Sequence, residues 1–104
     1  MAHQFDIVEN LNPTGREHYP FLVILQHDRV SSIGSVVVAP LSETKALSKG
    51  TRLEPTIELD GRRYTIFAQE LAAAPRQILG RVVGSAARER YAIVAALDLL
   101  FTGI

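Results

Sequence analysis

The sequence predicts a mostly β domain, an antiparallel barrel-like sheet with a single helix packed on it at the C-terminal end. Three observations carry that prediction. Short apolar runs separated by turn residues fill the first three quarters of the chain, a hairpin signature sits at Asp60-Gly61, and helical periodicity begins only after Gly84. At 104 residues the chain is expected to be one domain, residues 1–104, large enough for a core without disulfide or metal staples.

The elements follow in order. Gln4-Phe5-Asp6-Ile7-Val8 alternates as a strand does, and Asn10, Asn12, Pro13 and Gly15 then mark a loop. Residues 19–26 form a continuous apolar run with β-branched content, long enough for a central strand. Pro20 must lie near its start or on an edge, because it cannot donate to a ladder. Residues 34–40 (GSVVVAP) make a third strand that Pro40 is expected to end, and residues 41–53 read as a loop with a helical turn or small strands.

The stretch IELDGRRYTIF carries the sharpest local signal. Asp60-Gly61 suits a type I′ turn, which sets Leu59 opposite Arg62, Glu58 opposite Arg63, Ile57 opposite Tyr64 and Thr56 opposite Thr65. One face then carries Ile57, Leu59, Tyr64 and Ile66, and the other pairs opposite charges and two threonines. Residues 68–75 and 77–83 read as two further short strands around Pro75, with helix an alternative over 69–74. Ser85 is a good N-cap for a helix over 86–101, whose apolar residues fall at Ile93, Leu97, Leu100 and Phe101 with Tyr91 and Val94 beside them, and whose stripe Ile93, Leu97 and Leu100 is expected to be buried.

Charge is balanced overall and divided along the chain. Residues 1–60 carry five Lys/Arg against eight Asp/Glu, whereas residues 61–104 carry six Arg (Arg62, Arg63, Arg76, Arg81, Arg88 and Arg90) against three acids. Such Arg either solvate the outer faces or meet phosphates or an acidic protein segment. A neutral chain gains little from counterion release, which argues against strong non-specific binding to nucleic acid. There is no Cys, so disulfides and thiolate chemistry are excluded. Without an export signal or a long apolar run, the expected location is cytoplasmic.

Catalytic motifs are absent. His3, His18 and His27 are spaced 15 and 9 residues apart, which matches no metal motif. His27-Asp28-Arg29 holds the residue types that acid–base cleavage of RNA needs, but neighbours on a strand end point to opposite sides. The composition therefore indicates a binding protein more than an enzyme, with no catalytic residue, metal or cofactor expected. The chain ends in Phe101-Thr102-Gly103-Ile104, a greasy terminus that is either tucked into the fold or used on something else.

Taken as an ordered set, the motifs resemble the CcdB family, the toxin half of a toxin–antitoxin system. The match runs from Gln4-Phe5 through Tyr19, the apolar strand to Gln26, Asp28 and Gly34, to Val38-Ala39-Pro40-Leu41. Leu53-Glu54-Pro55 stands for the family's Leu-Tyr-Pro, and Ala73-Ala74-Pro75, Ile78-Leu79-Gly80 and Arg88-Glu89 follow at matching spacing. Leu99-Leu100-Phe101, Gly103 and Ile104 close the chain as the family's members close. The resemblance implies an SH3-like antiparallel barrel of the CcdB/MazF kind with a small accessory sheet and a C-terminal helix, forming a homodimer. It implies a toxin that binds the A subunit of DNA gyrase, traps the enzyme with cleaved DNA and blocks replication. A cognate antitoxin with a disordered C-terminal arm neutralises it. No membrane is involved, and nucleic acid enters only through gyrase.

The family's gyrase contact is a C-terminal Trp-Gly-Ile with the adjoining helix face. This carries the site to Thr102, Gly103, Ile104 and Asp98, and to the loop pair Arg29 and Val30, where the family has two apolar residues. Thr102 stands where the family has Trp, and Asp98 where its toxin has Asn. A stacked aromatic supplies a hot spot of about 2 kcal/mol or more, and losing ~2.7 kcal/mol weakens binding about 100-fold. For the antitoxin, an acidic arm would suit Arg62, Arg63 and Arg88. Three readings follow: a gyrase poison adapted to the absent Trp, a CcdB-fold protein that binds antitoxin without poisoning gyrase, or a ribonuclease like MazF and Kid using His27, Asp28 and several Arg.

Overall fold

The computed structural model describes residues 2–30, 34–45 and 48–104. Among these residues the strands are β1 (Asp6–Asn10), β2 (Phe21–Ile24), β3 (Ser35–Glu43), β4 (Thr56–Leu59), β5 (Arg62–Ile66), β6 (Ala72–Pro75) and β7 (Leu79–Ser85). The helix is α1 (Arg90–Thr102), and single 3₁₀ turns lie at Ala68–Glu70, Arg76–Ile78 and Ala87–Glu89. Every pairing is antiparallel, in the order β4-β5-β3-β2-β1-β7, and β6 pairs with the first half of β3. The result is the expected mostly β fold, a sheet curled into a half-barrel with a C-terminal helix and a small β3–β6 extension.

The continuous apolar runs are explained by burial on both faces. Ile7, Val23, Leu25, Ala39 and Leu41 join Ile57, Leu59, Tyr64, Ile66 and Ile93 in the larger core, inside the curl. The residues between them, Val8, Leu22, Ile24 and Val38, point the other way and pack with Val36 and Ala74 in a second cluster. A strand covered on both sides has no solvent face to make polar, so it reads as an unbroken apolar run. The expected alternation from Gln4 fails for a related reason. Phe5 takes a left-handed φ of 68° ahead of β1, and Ile7 and Val8 are both fully buried, each in a different core.

Pro40 does not end the third strand; β3 continues to Glu43. The Pro40 carbonyl accepts the Phe67 N–H at 3.0 Å, so its nitrogen also faces away from β2. There it falls between the β6 ladder, which stops at Val38, and the β5 ladder, which starts at Leu41. No ladder bond is missing, so the proline is tolerated inside a nine-residue strand.

The hairpin has the register the sequence predicts, Thr56↔Thr65 through Leu59↔Arg62. Asp60 and Gly61 both have positive φ, 52° and 79°, as a type I′ turn requires. Residues 69–74 form no α-helix: the 3₁₀ turn Ala68–Glu70 leads into β6, and after Pro75 a second 3₁₀ turn takes residues 76–78, so the strand expected over 77–83 is displaced to Leu79–Ser85. The helix starts later than the cap at Ser85 suggests. The Ser85 hydroxyl accepts the Ala87 N–H at 3.1 Å and so opens a 3₁₀ turn, after which α1 begins at Arg90. Ile93 and Ala96 are the fully buried residues of α1, while Leu97 and Leu100 are half-buried. No helix is long and apolar enough to cross a membrane among the described residues.

Candidate functional site at the C-terminal tip

The last turn of α1 is finished by local chemistry. Gly103 takes a left-handed φ of 76° and donates its N–H to the Leu99 carbonyl at 3.0 Å, which satisfies one orphan acceptor of the helix end. The Thr102 hydroxyl donates to the Asp98 carbonyl at 2.6 Å. Both residues thus have a complete structural role. Ile104 does not tuck into the barrel: it is 81% exposed, beyond the cap. Its main-chain oxygen accepts a bond from Arg52 Nη2 at 2.5 Å, a contact that charge patterning did not single out.

Beside this tip lies a shallow apolar groove of about 460 Å³, lined by Leu25, Gln26, Val30, Val37, Leu71, Leu97 and Phe101. Val30 and Phe101, far apart in sequence, are 55% and 68% exposed and stand on the same groove. Gln26 holds the loop in place, its side-chain amide donating to the Val30 carbonyl and its oxygen accepting the Val37 N–H at 3.3 Å. The next loop residues, 31–33, lie outside the described ones. Leu71 is a wall of the groove that sequence reading missed, since nothing local marks a residue between a 3₁₀ turn and a strand.

Along α1 the exposed positions Tyr91, Val94, Asp98 and Phe101 share one face at helical spacing. Asp98 is the one charge in this stripe, near the helix C-terminus where a carboxylate is disfavoured by the dipole. Among the described residues no cation pairs with it. Arg29 is exposed, with its N–H donated to His27 Nδ1 at 3.0 Å.

The remaining candidates divide. Arg63 and Arg88 line one cleft between the hairpin and the start of the helix, with Thr56, Ile57, Glu58, Ser85 and Glu89. Arg62 does not join them, because cross-strand alternation turns it away and its guanidinium pairs with Glu43 at 3.4 Å. His27 and Asp28 line one small pocket with Arg76, which Arg29 does not join, and among the described residues no hydrogen bond links the His27 ring to the Asp28 carboxylate. The Asp28 carboxylate instead accepts the Gln4 N–H at 2.8 Å and lies 3.2 Å from His3 Nδ1. The backbone bond from Gln4, aided by His3, lowers its pKa from the usual carboxylate value. No group of three or more His, Cys, Asp or Glu could hold a metal among the described residues.

Comparison with known proteins agrees with this geometry. The chain has the fold of a structure described as an Mtb toxin, at a TM-score of 0.71 and 20% identity over 91% of this chain and 99% of that one. It is similarly close to the Mycobacterium tuberculosis toxin MazF-mt6, at a TM-score of 0.72 and 19% identity over 92% and 95% of the two chains. At those identities the likeness speaks for the fold alone. None of the curated proteins matches it in sequence. The family described as CcdB protein matches residues 4–103. Since that match leaves out only the first three residues and the last, the chain belongs to the CcdB family of toxin–antitoxin toxins.

Proposed function

We propose that this protein is a single-domain toxin that acts as a homodimer on the A subunit of DNA gyrase, trapping the enzyme on cleaved DNA, and that a cognate antitoxin neutralises it. Its mode is inhibition by binding rather than catalysis, in the cytoplasm. The observation that carries the reading is the C-terminal tip. In a chain of the CcdB family, the cap at Gly103 finishes the helix and leaves Ile104 in solvent, three residues beyond Phe101, which with Val30 is exposed on a shared groove. Exposed apolar groups gathered in one place are what a partner surface would cover. Thr102, Asp98 and Arg29 complete the proposed gyrase contact. The antitoxin arm is assigned to the cleft of Arg63 and Arg88, with Arg62 at its margin.

A second reading is favoured by Thr102. Its hydroxyl is committed to the Asp98 carbonyl and it has no ring to stack, so the contact lacks the family's aromatic anchor. In that reading the protein binds antitoxin without poisoning gyrase. Ribonuclease activity has less support, because Asp28 is engaged by Gln4 and His3 rather than by His27 and Arg29.

The experiment is gyrase supercoiling and DNA cleavage with the natural protein, a chain lacking Gly103 and Ile104, and Thr102→Trp. Trapped cleaved DNA with the natural protein, abolished by the truncation, is the expected outcome. Activity with Thr102→Trp alone would select the antitoxin-binding reading, and RNA cleavage would be assayed if all three were inactive on gyrase.

A further inference from the structure

We infer that Arg52 is a positioning residue for the C-terminal tip, holding Ile104 in one arrangement past the helix end so that the tip meets its partner already formed. The inference deepens the gyrase-binding reading and rests on the tip being a contact element. The bond from Arg52 Nη2 to the Ile104 main-chain oxygen, 2.5 Å long, joins residues separated by 52 positions in the chain. The Thr102 hydroxyl and the Gly103 N–H bind the last turn back to the Asp98 and Leu99 carbonyls, but among the described residues no hydrogen bond other than the one from Arg52 reaches Ile104. A residue with an exposed side chain, past the last turn of a helix, frays unless something ties it down. Arg52 is that tie.

Arg52 is itself presented from a braced loop. The Thr51 N–H donates to the Glu54 carbonyl at 3.1 Å, and the Glu54 N–H donates to Thr51 Oγ1 at 3.0 Å, closing a tight turn with Arg52 inside it. Glu54 Oε2 then accepts the Gln69 side-chain amide at 2.5 Å. Gln69 belongs to the 3₁₀ turn Ala68–Glu70, which packs on α1. The connection therefore runs from the body of the helix through the turn and the loop, and returns to the helix end through Arg52. A guanidinium suits the role because it stays charged and its planar fork loses little freedom per bond formed.

The functional consequence follows from binding arithmetic. A segment competent only part of the time binds with an affinity reduced by that fraction, and ordering it in advance removes the penalty. Ile104 would otherwise sample many positions, and only some would match the one a partner binds.

The test uses the full chain with Arg52→Ala and Arg52→Lys, measuring backbone ¹⁵N relaxation at Gly103 and Ile104 beside gyrase trapping. Arg52→Ala should make the Ile104 amide mobile on the nanosecond timescale while the melting temperature changes little. The concentration needed for half-maximal trapping should rise about three- to tenfold. Arg52→Lys should recover part of both effects, since an ammonium can donate to the same oxygen. A tip as ordered in Arg52→Ala as in the natural chain would overturn the hold itself. A mobile tip with unchanged trapping would overturn its role in binding. If deletion of Gly103 and Ile104 left trapping intact, the gyrase reading of the tip would fail instead, and relaxation alone would decide whether Arg52 orders it.

Discussion

Asp28 illustrates how a residue's neighbours in space override its neighbours in sequence. His27 and Arg29 flank it in the chain, yet its carboxylate serves Gln4 and His3 and ties the N-terminal segment to the loop that carries Val30. Its pKa is lowered on folding, mainly by the Gln4 N–H. The stabilisation is therefore present above the ordinary value of 3.8 and is lost as pH falls through the lowered one. Asp28→Asn should be less stable than the natural chain at neutral pH, with the gap closing in strong acid. Urea unfolding at a series of pH values measures this, and a gap independent of pH would contradict it. Thr102 stands where the resemblance to the family implies Trp. The cap it forms with Asp98 shows why a short hydroxyl residue fits the local structure there, and that fit is independent of any partner.

At the scale of elements, the hairpin and the helix start build the basic cleft together. Cross-strand alternation separates two adjacent arginines, Arg63 into the cleft with Arg88 and Arg62 onto Glu43. The proposed antitoxin contact should follow that division. Arg63→Ala with Arg88→Ala should weaken the complex about tenfold or more and flatten its salt dependence, whereas Arg62→Ala should change it less. Equal effects from Arg62 and Arg63 in calorimetric titrations at two ionic strengths would refute the assignment. Helix α1 divides its own surface in the same way. Ile93 and Ala96 face the core, while Tyr91, Val94 and Phe101 remain open, so more of the helix is apolar than the sheet covers. Burying such a face is what the proposed homodimer or gyrase contact would do.

The whole molecule depends on how the half-barrel curls. Its outermost strands, β4 and β7, are not joined by a ladder among the described residues, but the Leu59 side chain of β4 lies over Gly84 of β7. A Cβ at Gly84 would lie 2.5 Å from Leu59 Cδ1, so any larger residue there forces the Leu59 side chain to shift within the core. Gly84→Val should cost about 1–3 kcal/mol by overpacking. Pairing it with Leu59→Ala should recover part of that loss, and denaturant melts of the four proteins form the cycle that measures it. Strictly additive effects would mean that the two strands do not press on each other.

Local chemistry made much of this protein legible without coordinates. Asp60-Gly61 determined the hairpin and its register, because a two-residue type I′ turn permits one pairing only. Helical periodicity after Gly84 and the Gly103 cap were likewise readable, as each depends on residues within a few positions of one another. Tertiary structure decided what depends on distant partners. It carried β3 through Pro40 by placing the missing N–H between two ladders, and it sent Ile7 and Val8 to opposite cores. It brought Val30 and Leu71 to Phe101 around one groove, and it set Arg52 on Ile104. No local pattern encodes these contacts, because they form only when the sheet has curled and the helix has docked. The sequence alone determined a strand-rich chain with a helix and a greasy end; the tertiary fold left that end exposed and determined what stands around it.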